Sequence, residues 1–247
     1  MSILLTLLAL MAVTAASVAW FTIVDNTRVR TMNLDIVADT DMRMDLDPHD
    51  TIEQYVRTLS FEQIADRIQQ EKGFSMENTQ LEPVTTSDEV TFTFENGTVV
   101  EDTCGAYLTF DLHFMAEKDL RVHLTSADST NGAGDGTAVV SDNPGVSRAM
   151  RISFTADGQT WIYDPGMGDT VSVQGTRRMF GLPDASSMKL TESNVMFSLQ
   201  EGVDKTVRVH IWLEGTDEAC TDDLRSADYA IRLRFTGEVL EDTRSGE

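Results

Sequence analysis

Four aspartates within nine residues form one set of candidate metal ligands in this sequence. They are Asp39, Asp41, Asp45 and Asp47. Carboxylate oxygens are the ligands that Ca²⁺ prefers, and extracellular calcium is abundant enough to fill weak sites. The spacing differs from an EF-hand loop, because Met44 stands at the sixth position, where that loop requires glycine. We therefore predict a solvated acidic turn at these aspartates, with a weak calcium site as the alternative. We predict no other cofactor.

The sequence contains two cysteines, Cys104 and Cys220. In an exported protein an isolated pair of cysteines most simply forms a disulfide, and we predict that these two are joined. In the chain-entropy model, a disulfide that closes so long a loop stabilises the fold by ~4 kcal/mol. The alternative is a pair of free, buried thiols. Because no CxxC pattern occurs, the cysteines do not indicate a structural zinc site.

No catalytic motif is recognisable in the sequence. The four histidines, His49, His113, His123 and His210, are far apart, and the last three lie in alternating segments where histidines usually pack or face solvent. GxSxG, HExxH, P-loop and GxGxxG patterns do not occur. With 41 acidic residues, carboxylates come close by chance, so carboxylate pairs do not indicate a glycosidase. We predict that the protein is not an enzyme.

The chain opens with an uncharged apolar run from Ile3 to Val24. The run is long enough for a transmembrane helix, which needs about 20 apolar residues. It also fits a signal peptide, with residues 3–16 as the apolar region and residues 17–19 as a small-x-small cleavage site. The first basic residue is Arg28, whereas a signal peptide usually begins with Lys or Arg. Both interpretations of residues 1–24 stay open. Each predicts an extracellular or cell-surface protein, anchored in the membrane if the segment is not cleaved.

The rest of the chain is strongly acidic. The sequence has 41 acidic and 19 basic residues, a net charge of −22. Such a surface repels nucleic-acid phosphates and anionic lipid head groups, so we predict no nucleic-acid partner. Hydrophobic residues make up 41% of the chain, which is enough for one real core. We assign residues 25–240 to one domain and residues 241–247 to a polar tail.

Most of residues 25–240 alternate between apolar and polar side chains, the period of a half-buried strand. In Thr27–Ala38 this alternation places Met32, Leu34 and Ile36 on one apolar face. The dipeptides Asn96-Gly97 and Asp157-Gly158 predict hairpin turns. Eight or nine short strands separated by turn signals predict a mainly β fold, a β-sandwich.

Residues 50–73 break the alternation with apolar residues at helical spacing, including Ile64 and Ile68. Asp50–Glu53 and Ser60–Gln63 each match a capping box at a helix start, and Gly73 matches a helix end. We predict a small helical insertion, built from two short helices, that covers one end of the β core.

Two stretches carry a family resemblance. Ala19-Trp20-Phe21-Thr22, followed by Asn26-Thr27 and a strand, is similar to the export segment of Gram-positive proteins processed by a SipW-type signal peptidase. The β-rich body, including Val207–Cys220, resembles the TasA/camelysin group of secreted matrix-fibre proteins. The resemblance implies a jelly-roll-like β-sandwich that assembles with itself into extracellular fibres of a biofilm matrix. It also implies assembly through the strand that follows the cleavage site.

From this resemblance we expect an assembly strand in the stretch from Trp20 to Ala38, and we expect Thr27–Ala38 to lie at a sheet edge, where unpaired backbone groups accept another chain. The residues of the predicted assembly strand are Trp20, Phe21, Val29, Met32, Leu34 and Ile36. The predicted function is that of a secreted or cell-surface structural protein. The alternative is a membrane-tethered binding module for peptides or glycans, in which Trp161, Tyr163 and Trp212 form an aromatic platform if they share an exposed face.

Overall fold

The computed structural model describes residues 29–38, 41–126, 136–168, 170–182, 195–224 and 226–239. The predicted N-terminal apolar helix, the polar tail, and Trp20 and Phe21 of the predicted assembly strand lie outside these residues. Within the described ranges, no helix is both long and apolar enough to cross a membrane.

The chain is mainly β. Its strands are β1 (Val29–Ala38), β2 (Met42–Asp45), β3 (Thr58–Leu59), β4 (Gln80–Leu81), β5 (Pro83–Thr86), β6 (Phe92–Thr93), β7 (Leu108–Ala116), β8 (Leu120–Leu124), β9 (Ala138–Ser141), β10 (Met150–Ala156), β11 (Gln159–Tyr163), β12 (Val171–Gln174), β13 (Arg177–Phe180), β14 (Phe197–Leu199), β15 (Lys205–Glu214) and β16 (Asp228–Val239). The helices of the described residues are α1 (Phe61–Lys72), α2 (Pro144–Ala149) and two 3₁₀ turns, Ile52–Gln54 and Asp222–Leu224.

The strands form two sheets, as in a β-sandwich. The first sheet has the order β14-β8-β16-β1-β3, with β4 paired to β1 and β9 paired to β16. The second has the order β12-β13-β11-β10-β15-β5-β6, and β7 pairs with β15 and β2. The jelly-roll connectivity that the resemblance implies stays a prediction.

The two sheets bury their apolar faces in one core. Every second residue of β15 points inward, and Val207, Val209 and Ile211 are fully buried. Phe235 of β16 meets Phe154 of β10 with the ring centroids 5.4 Å apart in an edge-to-face arrangement. The alternation read from the sequence therefore identifies the core face of these strands, because successive side chains of a strand point to opposite faces.

The strand predicted at Thr27–Ala38 is confirmed as β1, but its predicted position at a sheet edge is wrong. One side of β1 pairs in parallel with β16 along most of its length. On the other side, Ile36 pairs with Leu59 and Val29 pairs with Leu81. Leu34 and Ile36 are fully buried. Alternation along a single strand reports which face is buried and carries no information about how many neighbours the strand has.

The helical insertion is confirmed for its second helix. Ser60 precedes α1, and its backbone N–H donates to Gln63 Oε1 at 3.0 Å, as in a capping box. Gly73 ends the helix in the left-handed conformation, with φ 83°. Ile64 and Ile68 are fully buried beneath it. The first predicted helix is a single 3₁₀ turn, Ile52–Gln54, because the chain returns to a strand at Thr58.

The hairpin predicted at Asp157-Gly158 is confirmed. It joins β10 to β11, and Phe154 lies opposite Trp161 in the antiparallel register. Asp157 and Gly158 both have positive φ, 52° and 73°. Aspartate and glycine are residues that tolerate this conformation, which explains why the dipeptide could be recognised from the sequence.

The predicted disulfide is wrong, since both cysteines are free. Cys104 is exposed in the loop before β7, and its sulfur accepts a hydrogen bond from the Ala106 N–H at 3.5 Å. Cys220 lies between β15 and β16 and packs against the main core. Burial raises the pKa of the Cys220 thiol to about 12. Two cysteines in a sequence show only that a pair is available, and the fold places these two in different surroundings.

Candidate ligand-binding groove

The outer face of the second sheet carries a cavity of about 630 Å³. Its floor is formed by outward-facing residues of β7, β10 and β15, and its wall by residues 88–102, which cross over the sheet. We call this cavity the groove and residues 88–102 the cover segment. Ligand sites in proteins are typically concavities of this size.

A small second core holds the cover segment on the sheet. It contains Val84, Phe92, Val100, Ala106, Tyr107, Ile162 and Trp212. The rings of Phe92 and Tyr107 stack with their centroids 4.0 Å apart. Trp212 of β15 packs edge to face against Phe92, with the ring centroids 5.5 Å apart. This face of the sheet is therefore apolar where the cover segment packs and polar where the groove begins.

The turn at the start of the cover segment is built from local side-chain bonds. Asp88 Oδ1 accepts hydrogen bonds from the backbone N–H groups of Val90 and Thr91, at 2.9 and 2.7 Å. These bonds hold the pKa of Asp88 below its usual value. The turn places Glu89 at positive φ, 55°, and buries its side chain, which is 3% exposed. The Glu89 carboxylate forms an ion pair with Arg177 of β13.

Two polar side chains form the floor of the groove. Thr109 of β7 and His210 of β15 lie opposite each other in the antiparallel register. They are 6% and 7% exposed. His210 Nδ1 lies 3.4 Å from the hydroxyl of Ser153, which is fully buried. Neither the Thr109 hydroxyl nor His210 Nε2 makes a hydrogen bond to any described residue, and neither atom is fully buried, so both open into the groove.

The floor histidine is neutral at pH 7. Burial, together with the nearby Arg208 cation, lowers the pKa of His210 to about 4. A neutral imidazole has one nitrogen that donates and one that accepts. The floor therefore offers a hydroxyl and an imidazole nitrogen, without a positive charge, to any molecule in the groove.

Two ion pairs border the floor. Arg208 donates from Nε and Nη2 to the two carboxylate oxygens of Asp111, both at 2.8 Å. These bonds lower the pKa of Asp111. At the other side, Lys72 of α1 donates to Asp102 Oδ2 at 2.7 Å. The two basic side chains that line the groove are thus both neutralised by carboxylates of the same groove.

The predicted calcium ligands have separate partners as far as they are described. Asp41 pairs with Lys118 at 3.5 Å, and Asp47 forms an ion pair with Arg67. Asp45 Oδ1 accepts from the Leu46 backbone N–H at 2.7 Å. Asp39 lies outside the described residues, and the described residues contain no group of three or more His, Cys, Asp or Glu that could hold a metal ion. The predicted acidic turn, and the alternative of a calcium site that includes Asp39, both stay untested.

The condition for an aromatic platform, a shared exposed face, is not met. Trp161, Tyr163 and Trp212 are 8%, 5% and 2% exposed. Trp161 and Tyr163 point into the main core, whereas Trp212 lies under the cover segment. Large aromatic rings gain most by leaving water, so strand aromatics are more often core than surface.

Sequence reasoning did not find the groove. The alternation of β7 and β15 does indicate that Thr109 and His210 face away from the main core. The alternation gives no indication that residues 88–102 fold back over this face. Of the four histidines, the structure places only His210 on the floor of the groove.

Comparisons with protein-family models, with curated proteins and with solved structures give no match to this chain. The resemblance to secreted matrix-fibre proteins therefore stays a prediction.

Proposed function

We propose that this protein is a secreted or cell-surface binding module, and that the groove holds its ligand, a peptide or a glycan. The observation that carries the proposal is the floor. Thr109 and His210 are more than nine-tenths buried, and they present polar atoms that no described residue satisfies. These atoms open into the groove, where a ligand can replace water as their hydrogen-bond partner.

The construction of the groove supports the same proposal. The cover segment is fixed by its own small core, so the wall of the groove is preformed. A preformed concavity loses little entropy when a ligand enters. Ser153, the one hydroxyl near His210 Nδ1, is fully buried, so this pair is not placed to attack a substrate. The geometry is suited to holding a molecule.

The test compares the native chain with a variant in which a bulky side chain blocks the groove. Thr206 is exposed on β15 and lines the groove, and a Thr206→Trp substitution places a large ring there. The full chain and this variant are screened against arrays of peptides and oligosaccharides. We expect at least one class of ligand that binds the native chain and loses binding in the variant. Ser198→Trp, an exposed β14 position outside the groove, is the matched control. If every bound ligand tolerates Thr206→Trp, the proposal is wrong.

A second candidate function is favoured by one specific observation. Strand β12 is the last strand of the second sheet, pairs only with β13 among the described strands, and is exposed at all four residues. Its Val173 is 63% exposed. An open edge with exposed valines is a template for another chain. We propose, as this second candidate, a structural fibre subunit in which the residues before Val29 of one copy add to β12 of the next.

This fibre proposal predicts an effect of charge at the edge. A Val173→Lys substitution puts a charge on β12, and charged edge strands resist strand addition. Negative-stain electron microscopy of the mature chain should show fibres that this variant lacks. Val203→Lys is the control, because Val203 is 49% exposed and lies in a turn. A mature chain that stays monomeric at every concentration excludes the fibre proposal and leaves the groove proposal untouched.

A further inference from the structure

The side chains that line the groove carry an excess of negative charge. Six carboxylates and two basic side chains line it, besides the neutral His210. Four of the six carboxylates are ion-paired. Asp102 pairs with Lys72 and Asp111 with Arg208 within the groove. Glu89 pairs with Arg177 and Asp157 with Lys205, two basic residues that do not line the groove. Glu101 is exposed on the cover segment and has no ion-pair partner among the described residues. The whole chain adds a net charge of −22, so the potential in the groove attracts cations and repels anions.

An acidic wall alone does not make a binding site, but the floor supplies an independent observation. Thr109 is 6% exposed and lines the groove, and its hydroxyl has no hydrogen-bond partner in the described chain. A hydroxyl oxygen accepts hydrogen bonds from N–H groups. A ligand with N–H donors therefore satisfies the buried floor as well as the charged wall.

The rim is apolar on one side. Val90 and Val99 both line the groove and are 78% and 58% exposed, which makes them two of the most exposed large hydrophobic residues in the described chain. Lysine and arginine side chains lay their aliphatic stems along such surfaces while the charged head stays among polar groups. Valines at the rim and carboxylates within the groove match the two parts of such a side chain.

We propose that the groove binds a basic peptide segment, with a lysine or arginine side chain packed on Val90 and Val99 and its cation among the groove carboxylates. This inference rests on the proposed binding function. It selects a peptide over a neutral glycan for two reasons. A neutral sugar gains nothing from the excess of carboxylates, and the aromatic rings on which sugars stack are buried here.

The test uses three capped peptides that differ at one position, Gly-Gly-Arg-Gly-Gly and its versions with citrulline or glutamate in place of arginine. Citrulline has nearly the shape of arginine without its charge. Dissociation constants are measured with the full chain by NMR-detected titration. We expect the arginine peptide to bind about ten-fold or more tightly than the citrulline peptide, because hydrogen bonds to charged groups are the stronger ones. Binding should weaken as NaCl is raised, because salt screens charges.

Three variants locate the site. Glu101→Gln should weaken binding of the arginine peptide about two- to five-fold, the effect of one partly exposed charge. Thr109→Val, which removes only the floor hydroxyl, should weaken it about three- to ten-fold. Glu218→Gln is the control, because Glu218 is also exposed but lies outside the groove. Equal losses in Glu101→Gln and Glu218→Gln mean that the peptide binds the acidic surface in general, and this overturns the inference.

The inference and the proposed function fail in different ways. If an oligosaccharide binds and Thr206→Trp abolishes its binding, while the arginine and citrulline peptides bind alike, the binding function stands and the basic-peptide inference is wrong. If Thr206→Trp changes the binding of no peptide and no oligosaccharide, both are wrong. Arginine-selective binding that is lost in Thr206→Trp supports both.

Discussion

Polar side chains are buried at two places on the outer face of the second sheet. At one place they have many hydrogen-bond partners, and at the other they have few. At the start of β10, Arg151 is 7% exposed, and its Nη1 donates to the carbonyl oxygens of Arg148 and Met150, at 2.6 and 2.9 Å. Its Nη2 pairs with Asp164 at 3.1 Å and with Asp217 at 2.5 Å. We call these three side chains the arginine cluster. On the groove floor, Thr109 and His210 are equally buried, but the Thr109 hydroxyl and His210 Nε2 have no partners in the described chain.

Burial does not distinguish the arginine cluster from the groove floor, because both are equally buried. Their hydrogen-bond partners do distinguish them. A buried charge that is fully paired and hydrogen-bonded ties chain segments together, here β10, the loop after β11 and the loop after β15. Each of the two floor side chains instead leaves one polar atom open to the groove, where water or a ligand can bind it. We therefore assign the arginine cluster to the stability of the fold, whereas the floor is the part of the molecule that the proposed binding function uses.

The largest effect that tests this comparison is the loss of Arg151. In an Arg151→Met variant, Asp164 is left 5% exposed without its cation, and we expect the free energy of unfolding to fall by ~3–5 kcal/mol. Burial already raises the pKa of Asp164, which Arg151 opposes. Urea denaturation measures the change. Arg148→Met, at an exposed neighbouring position, should cost far less. A loss below ~1 kcal/mol for Arg151→Met contradicts a structural role for the cluster.

The second effect is the pH dependence that His210 contributes. Unfolded His210 binds a proton below about pH 6.5, whereas burial keeps the folded residue neutral until about pH 4. The unfolded state therefore binds more protons between these values, and stability is lost as the pH falls through this window, by up to ~3 kcal/mol. A His210→Gln variant lacks this contribution, while all carboxylates titrate as before. The difference between the two stability curves should grow from pH 7 to pH 4. An NMR titration that gives His210 a pKa near 6.5 would falsify the buried, neutral floor.

The smallest effect is expected for Thr109→Val. Because the Thr109 hydroxyl has no partner in the described chain, its removal should leave the free energy of unfolding within ~0.5 kcal/mol of the native value, or raise it. Thermal and urea unfolding of the two proteins provide the measurement. A loss above ~1 kcal/mol shows that the hydroxyl is satisfied in the folded protein, and the contrast between the floor and the arginine cluster then disappears.

Local patterns predicted much of the fold and little of the site. Ser60 and Gly73 marked the ends of α1, and Asp157-Gly158 marked a hairpin, because capping and positive φ depend on neighbouring residues alone. The edge position of β1 and the disulfide were wrong, because both depend on which distant segments meet. The aromatic platform failed for the same reason: alternation gives a strand two faces and does not say which of them is covered.

The sequence by itself determined the mainly β class, the helical insertion, the acidic surface and the core face of each long strand. Periodicity, composition and turn chemistry are properties of short stretches, and they persist whatever the rest of the chain does. Only the tertiary structure decided that residues 88–102 fold over β7 and β15, that β16 pairs in parallel with β1, and that Cys104 and Cys220 stay apart. These features arise from contacts between residues far apart in the chain, whose free energy is set by the packing of the whole domain.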